Sequence, residues 1–192
     1  MSEVRSTFTL TPGSRALDFE MPDAQGKSHR LGEVAGPRGL LVAFACNHCP
    51  FVIHLAREVG ALAAAAKERG VGTVAINSND VERFPADGPE EMLEFATRYG
   101  WDFPYLIDET QEVAKGYAAA CTPDFYLFDG YLRLFYAGQF DASRPGSGEA
   151  NGADLGGALD LMLAGGEAPA GAYPSSGCNI KWKLGNEPGW FG

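Results

Sequence analysis

The hydrophobic pattern of the chain alternates between short apolar runs and longer amphipathic stretches. Residues 40–45, Leu-Leu-Val-Ala-Phe-Ala, show no polar alternation, which indicates a strand buried on both faces. From about Pro50 to Arg69, apolar residues recur at spacings of three and four, which predicts an amphipathic helix ended by Gly70. Val71–Ile76 is again an unbroken apolar run. The pattern therefore predicts a strand–helix–strand unit.

The same reasoning extends to both sides of this unit. The further predicted elements are an N-terminal hairpin with strands around 17–20 and 28–31, helices around 92–99, 111–117 and 155–163, and strands at 105–107, 125–128 and 132–138. Asp129-Gly130 separates the last two strands and favours an antiparallel hairpin. Parallel units that close with such a hairpin predict an α/β fold, a mixed central sheet with helices on both faces.

The last residues differ in composition from the rest. Residues 1–163 are predicted to form one domain, and residues 164–192 a tail rich in Gly, Pro and Ser. The tail still contains large apolar side chains, namely Tyr173, Ile180, Trp182, Trp190 and Phe191. So much apolar surface is costly to leave in water, so we expect an irregular tail packed on the domain or on a partner chain.

The net charge and the lack of long apolar runs restrict the classes of partner and the location that we expect. The 192 residues carry 25 acidic and 15 basic side chains, a net charge of −10, which argues against nucleic acid or an anionic membrane surface as main partner. The N-terminus has no apolar signal region, and no apolar run approaches the ~20 residues of a membrane span. We therefore expect a cytoplasmic protein, as a monomer or a homodimer.

The candidate chemistry lies at the first strand-to-helix junction. Cys46 follows the buried strand, and Cys49 is expected in the first turn of the helix. Free N–H groups and the macrodipole at a helix start stabilise a thiolate and lower a cysteine pKa from ~8.5 to as little as ~3.5. With two residues between them, one thiol can attack a disulfide and the other can resolve the mixed disulfide. We expect Cys46 to attack and Cys49 to resolve.

Alternatives remain for this motif. His48 would stabilise a thiolate as an imidazolium, or it is an exposed loop residue without a role. The two cysteines could be inert buried thiols. They could also bind a metal or an iron–sulfur cluster together with Cys121, and with His48 or Cys178. A second C-x-x-C is absent, so we expect no metal and no cofactor.

Thr122-Pro123 precedes a predicted strand, where a fold of this kind places a cis-proline. A cis bond would turn the backbone of Thr122 toward Cys46 and leave it free to pair with an extended substrate segment. Cys121 would then be close enough to exchange with the pair, or it is a small residue in a tight loop. Cys178 could resolve a disulfide or sulfenate if the tail folds over the site, or it is held among the tail aromatics.

The motifs "FACNHCPF", "ACTPDFYLFD", "GQFDASRPG" and "PSSGCNIKWK" resemble the thioredoxin-fold superfamily, over roughly residues 14–184. Within it they resemble the alkyl hydroperoxide reductase/thiol-specific antioxidant branch, the peroxiredoxin-like proteins with a C-x-x-C. The resemblance implies a thioredoxin-like fold with an N-terminal hairpin extension. It also implies a thiol–disulfide oxidoreductase with disulfide or thiol substrates and a cellular thiol reductant.

The chain departs from typical peroxiredoxins. Their motif P-x-x-x-[ST]-x-x-C, aligned on Cys49, places Val42 at the proline and Cys46 at the hydroxyl position, and no arginine occurs at 122–124. A weak thiol peroxidase with Cys49 as the peroxidatic residue is therefore the alternative. Thioredoxins also have a buried acid on the strand before the motif, which residues 40–45 lack; Asp80 and His48 are the nearest candidates for moving that proton.

Overall fold

The computed structural model describes residues 3–191. In chain order the elements are β1 (Glu3–Arg5), β2 (Glu20–Pro22), β3 (Ser28–Arg30), α1 (Leu31–Val34), β4 (Gly39–Phe44), α2 (Pro50–Glu68), β5 (Val71–Asn77), a 3₁₀ turn (Pro85–Asp87), α3 (Pro89–Tyr99), β6 (Tyr105–Ile107), α4 (Glu112–Tyr117), β7 (Cys121–Thr122), β8 (Asp124–Asp129), β9 (Leu134–Gly138), α5 (Ala153–Leu163) and β10 (Ser176–Asn179). The predicted strands and helices are all present, with bounds shifted by a few residues.

The central sheet is mixed, as predicted. β8 lies antiparallel to both β4 and β9, whereas β6 runs parallel to β5. The backbone N–H of Ala45 donates to the carbonyl of Ile76 at 2.9 Å, which joins β4 to β5. The strand order is therefore β9–β8–β4–β5–β6, with β4 at the centre, and the loop after β4 opens at the middle of the sheet.

The pleat of β4 divides the core in two. Leu41 and Ala43 pack against residues of α2, α3 and α5. Leu40, Val42 and Phe44 point to the other face, where they pack against residues of α1 and α4. Because successive side chains of a strand alternate between faces, an unbroken apolar run is what a strand covered on both faces requires. Helices therefore cover both faces, which confirms the predicted α/β class.

Helix α2 carries the C-x-x-C motif at its start. Its first residue is Pro50, which has no N–H to leave unpaired, and Cys49 is the N-cap rather than a first-turn residue. Gly70, with a φ of +83°, follows its end as predicted. Among residues 3–191, none of the helices, α2 included, combines the length and the apolar character needed to cross a membrane.

Part of the C-terminal segment is a strand that the sequence did not predict. β10 lies between β1 and β7, antiparallel to both, with Cys178 opposite Glu3 on one side and opposite Thr122 on the other. Ile180 and Trp182 follow it into the core beside β4. Residues 176–182 thus contribute backbone pairing and apolar packing to the domain.

Asp124, the first residue of β8, is a buried carboxylic acid. Its Oδ1 accepts a hydrogen bond from the Ser6 hydroxyl at 2.7 Å, and its Oδ2 accepts one from the Tyr126 hydroxyl at 3.1 Å. Burial outweighs these hydrogen bonds and raises the pKa of Asp124 from 3.8 to about 6. The native state therefore holds a proton here at pH values where the unfolded chain has lost it.

This shift makes stability depend on pH with a defined sign. Between about pH 4 and pH 6 the native state holds a proton on Asp124 that the unfolded chain has lost, so the contribution of Asp124 to the free energy of unfolding should fall as the pH rises, by roughly 2–3 kcal/mol in total. Asp124→Asn should remove this contribution. Urea unfolding of both proteins from pH 4 to pH 7 measures it, and an identical pH slope in the variant would contradict the assignment.

Candidate active site

The two cysteines of the motif flank a tight loop between β4 and α2. Cys46 and Cys49 are both free thiols, and 1% and 0% of their surfaces are exposed. The backbone N–H groups of Asn47 and His48 donate to Oδ1 of Asp87, at 2.8 and 3.2 Å. This carboxylate, itself fully buried, fixes the loop so that both sulfurs face the interior.

Thr122 is the nearest residue outside the motif. The Thr122–Pro123 bond is cis, as predicted, and Thr122 Oγ1 lies 3.3 Å from the Cys46 sulfur. Its carbonyl oxygen lies 3.1 Å from the Cys49 sulfur. Both sulfurs therefore contact one residue 73 positions or more away in the sequence.

Four groups favour the ionised form of Cys49 by hydrogen bonding and so act to lower its pKa. They are the thiols of Cys46 and Cys178 and the N–H groups of Cys178 and of Val52 in the first turn of α2. The bond from Cys46 has the largest effect, and together the donors lower the pKa of Cys49 to about 5 despite its burial. The carbonyl of Thr122 opposes this shift, since it accepts a hydrogen bond only from a protonated thiol.

Cys46 has the opposite character. Its hydrogen bond to Cys49, then its burial, and then the negative charge of Asp87 raise its pKa well above the ordinary value. The structure also places it outside α2, three residues before the N-cap. The distribution of charge in the reduced protein favours Cys49 as the thiolate, whereas the sequence-based prediction assigned attack to Cys46.

Asp87 is the site residue that the sequence analysis missed. Its Oδ2 lies 2.7 Å from Nδ1 of His48, close enough for an ion pair although the angle is poor for a hydrogen bond, and it accepts from Nδ2 of Asn79 at 2.8 Å. Asp80, the acid named in the sequence analysis, is buried, and its backbone N–H donates to the Lys181 carbonyl. Asp87 belongs to a short 3₁₀ turn without hydrophobic periodicity, so no sequence pattern pointed to it.

The His48 side chain contacts Phe84 as well as Asp87. Its ring stacks on Phe84, with centroids 6.0 Å apart, and 22% of its side chain is exposed. Ligand atoms of Cys46, His48 and Asp87 lie within 4.8 Å of one another, a set that could hold a metal such as zinc. The other predicted ligands, Cys49, Cys121 and Cys178, are not part of this set, and the sulfur of Cys121 instead lies 3.5 Å from the carbonyl of Pro123.

Cys178 lies beside the motif through β10. It is the strand partner of Thr122, and 3% of its surface is exposed. Burial first, and then its hydrogen bond to Cys49, raise the pKa of the Cys178 thiol to about 12. The backbone edge of Thr122 that the sequence analysis expected to be free for a substrate strand is occupied by β10, because the tail folds back as a strand.

The chain has a thioredoxin fold with two thiols at the start of a helix. Solved structures with low sequence identity to this chain share that fold. The chain belongs to the AhpC/TSA family, whose sequence profile matches residues 12–135. An uncharacterized conserved protein from Geobacillus kaustophilus has a crystal structure that superposes with a TM-score of 0.91. It is 46% identical, over 95% of this chain and 97% of that chain.

Two curated relatives have names that state a redox activity. Thiol-disulfide oxidoreductase ResA from Halalkalibacterium halodurans is 29% identical over 117 residues, which are 61% of this chain and 62% of that protein. A putative peroxiredoxin from Mycobacterium tuberculosis (strain CDC 1551 / Oshkosh) is 27% identical over 113 residues, which are 59% of this chain and 67% of that protein. The match therefore spans less than two thirds of the ResA relative. These homologues support a redox role in general.

The charge distribution at Cys49 predicts a titration. Thiolate absorbance in the ultraviolet should rise in one step with a pKa of about 5, because Cys49 ionises well before the other three thiols. Cys49→Ser should abolish this step. Cys121→Ala removes a thiol that is hydrogen-bonded to the Pro123 carbonyl and should leave the step in place. A step that survives Cys49→Ser and disappears in Cys46→Ser would show that the thiolate is Cys46.

Proposed function

We propose that the protein is a thiol–disulfide oxidoreductase whose redox pair is Cys46 and Cys49. The observation that carries this proposal is geometric: both sulfurs lie at the start of α2 and contact the same residue, Thr122, at 3.3 and 3.1 Å. The arrangement holds one reactive thiolate and one protonated neighbour within reach of it, as dithiol exchange requires. The names of the curated relatives support the same chemistry.

The proposed reaction has two exchange steps. The Cys49 thiolate attacks one sulfur of a substrate disulfide, forms a mixed disulfide and releases the first substrate thiolate. Cys46 then loses its proton and attacks the Cys49 sulfur, so that the Cys46–Cys49 disulfide forms and the second substrate thiolate leaves. The substrate gains two electrons and the protein loses two. A cellular thiol reductant restores the dithiol, and the same steps run backward oxidise a dithiol substrate.

The environment of the pair supports an order for these steps. The negative charge of Asp87 acts against a second thiolate at Cys46, so Cys46 remains protonated while Cys49 is ionised. Once Cys49 is in a mixed disulfide, its charge is gone and ionisation of Cys46 becomes easier. Substrates in this proposal are disulfides of proteins or small molecules in the cytoplasm. They must displace part of the cover over the sulfurs, since both are buried.

The proposal predicts the effect of removing each sulfur. Cys49→Ser should lower dithiol-driven reduction of a protein disulfide by ~10²-fold or more, because the attacking atom is lost. Cys46→Ser should lower turnover as well, since the first resolving thiol is missing. Initial rates of insulin reduction in the presence of dithiothreitol measure both effects, with Cys121→Ala as the matched control.

Three other outcomes would change or overturn this assignment. Full turnover in Cys49→Ser with loss in Cys46→Ser would return the attacking role to Cys46. Full turnover in both serine variants would overturn the proposed redox pair. Stoichiometric zinc or iron in the purified protein, released only by denaturation, would favour the metal-binding alternative at Cys46, His48 and Asp87.

A weak thiol peroxidase is the second candidate, and the lowered pKa of Cys49 is the observation that favours it. In this reaction the Cys49 thiolate attacks one oxygen of a peroxide and becomes a sulfenic acid as the O–O bond breaks. Hydroxide or an alkoxide leaves and takes up a proton from solvent to give water or an alcohol. The hydroxyl and arginine that hold the peroxide in typical peroxiredoxins are replaced or absent, with Cys46 at the hydroxyl position.

Peroxide should therefore oxidise this protein slowly. Each missing donor to the leaving oxygen costs ~10²–10³ in rate, so oxidation should be slower than that of a typical peroxiredoxin by at least this factor. Stopped-flow tryptophan fluorescence of the reduced protein mixed with hydrogen peroxide measures the second-order rate constant. A near-diffusion-limited constant that disappears in Cys49→Ser would make the peroxidase the better assignment.

A further inference from the structure

A third thiol, Cys178, lies in the same buried cluster as the C-x-x-C sulfurs. β10 pairs with β7 so that Cys178 is opposite Thr122, the residue whose hydroxyl and carbonyl contact the two motif sulfurs. Gly177 permits this approach, because a Cβ there would collide with the Thr122 carbonyl. The Cys178 side chain is thereby held over the start of α2, among the same buried residues as Cys46 and Cys49.

Cys49 is consequently flanked by two thiols. Cys46 lies in the loop before α2, and Cys178 lies on β10 opposite Thr122, whose carbonyl oxygen is 3.1 Å from the Cys49 sulfur. Nothing in the C-x-x-C chemistry requires the second of these thiols. β10, which carries Cys178, also occupies the edge of Thr122 that would otherwise be free for a substrate strand.

We propose that Cys178 is a second resolving thiol. Either Cys46 or Cys178 can then form the disulfide bond with Cys49, and thiol–disulfide exchange interconverts the two forms. This inference rests on the proposed thiol–disulfide oxidoreductase function and adds a catalytic residue to it. β10 then occupies the position of a substrate strand and presents an internal thiol in place of a substrate sulfur.

The exchange conserves electrons. The Cys178 thiolate attacks the Cys49 sulfur of the Cys46–Cys49 disulfide; the Cys49–Cys178 bond forms and the Cys46–Cys49 bond breaks. Cys46 leaves as a thiolate and takes up the proton that Cys178 gave up. In the same way Cys178 can attack Cys49 in a mixed disulfide and release the substrate thiolate. Oxidised protein is then a mixture of two isomeric disulfides.

The strand pleat separates Cys178 from the fourth cysteine. Cys121 precedes Thr122 on β7, so its side chain is expected on the opposite side of that strand. Its sulfur contacts the carbonyl of Pro123. Cys121→Ala is therefore a matched control, since it removes a buried thiol from the same strand pair without touching Cys49.

Tryptic peptides distinguish the two disulfides. Cys46 and Cys49 lie on one peptide, residues 39–57, and Cys178 lies on residues 134–181, because the Arg144–Pro145 bond resists trypsin. The full-length protein is equilibrated in a dithiothreitol redox buffer, quenched with acid, alkylated with N-ethylmaleimide, digested and analysed by mass spectrometry. A Cys46–Cys49 disulfide stays within one peptide, whereas a Cys49–Cys178 disulfide links two.

The expected products follow from the proposal. Wild type and Cys121→Ala should both give the internal and the linked form, Cys178→Ala only the internal form, and Cys46→Ser the linked form as its main product. In insulin reduction, Cys46→Ser should retain part of the wild-type turnover, and Cys46→Ser/Cys178→Ala should lose it. Cys178→Ala should also raise the pKa of the Cys49 thiolate, because one donor is removed.

Failure of this inference differs from failure of the proposed function. An internal disulfide in wild type, without a linked form in either wild type or Cys46→Ser, would overturn the role of Cys178 and leave the redox pair intact. Equal turnover of Cys46→Ser and the double variant would do the same. The wild-type measurement remains decisive if Cys46→Ser does not fold. No disulfide of any kind in wild type would overturn the proposed oxidoreductase itself.

Discussion

A buried thiolate is stable only where hydrogen-bond donors surround it, because an unpaired charge in a protein interior costs several kcal/mol. Much of the structure around Cys49 meets this requirement. The N–H of Val52 at the start of α2, the Cys46 thiol in the preceding loop, and the thiol and N–H of Cys178 on the distant β10 all act to lower the pKa of Cys49. Three parts of the chain thus lie around the Cys49 sulfur, and stabilising its negative charge constrains the position of each.

Asp87 complements this arrangement from the opposite side. Its carboxylate binds two N–H groups of the motif loop and so fixes the position of Cys46. Its negative charge also raises the pKa of Cys46, which keeps that thiol protonated and able to donate. A carboxylate near a redox pair would ordinarily oppose any thiolate. Here its effect falls mainly on Cys46, so it helps to separate the roles of two chemically identical side chains.

Long regular elements could be predicted from the sequence, and so could the site residues that lie at their ends. β4 and α2 have apolar patterns set by burial on two faces and on one face, and these patterns place Cys46 and Cys49 at a strand-to-helix junction. The N-cap position of Cys49 could not be fixed, since element boundaries depend on capping geometry. Asp87 and β10 could not be found either. A three-residue turn and the four residues Ser-Gly-Cys-Asn have no periodicity, and tertiary contacts alone give them their positions.

The pairing of β10 between β1 and β7 also has a consequence for how the protein is made. β7 and the C-x-x-C are synthesised well before residues 176–179, so during translation the edge of Thr122 has no strand partner and Cys49 lacks the donors of Cys178. Contacts between residues this far apart in sequence are slow to form, because a long loop must close first. The nascent chain therefore passes through an interval in which the Cys49 sulfur is less covered than in the finished protein, and completion of the last strand ends that exposure.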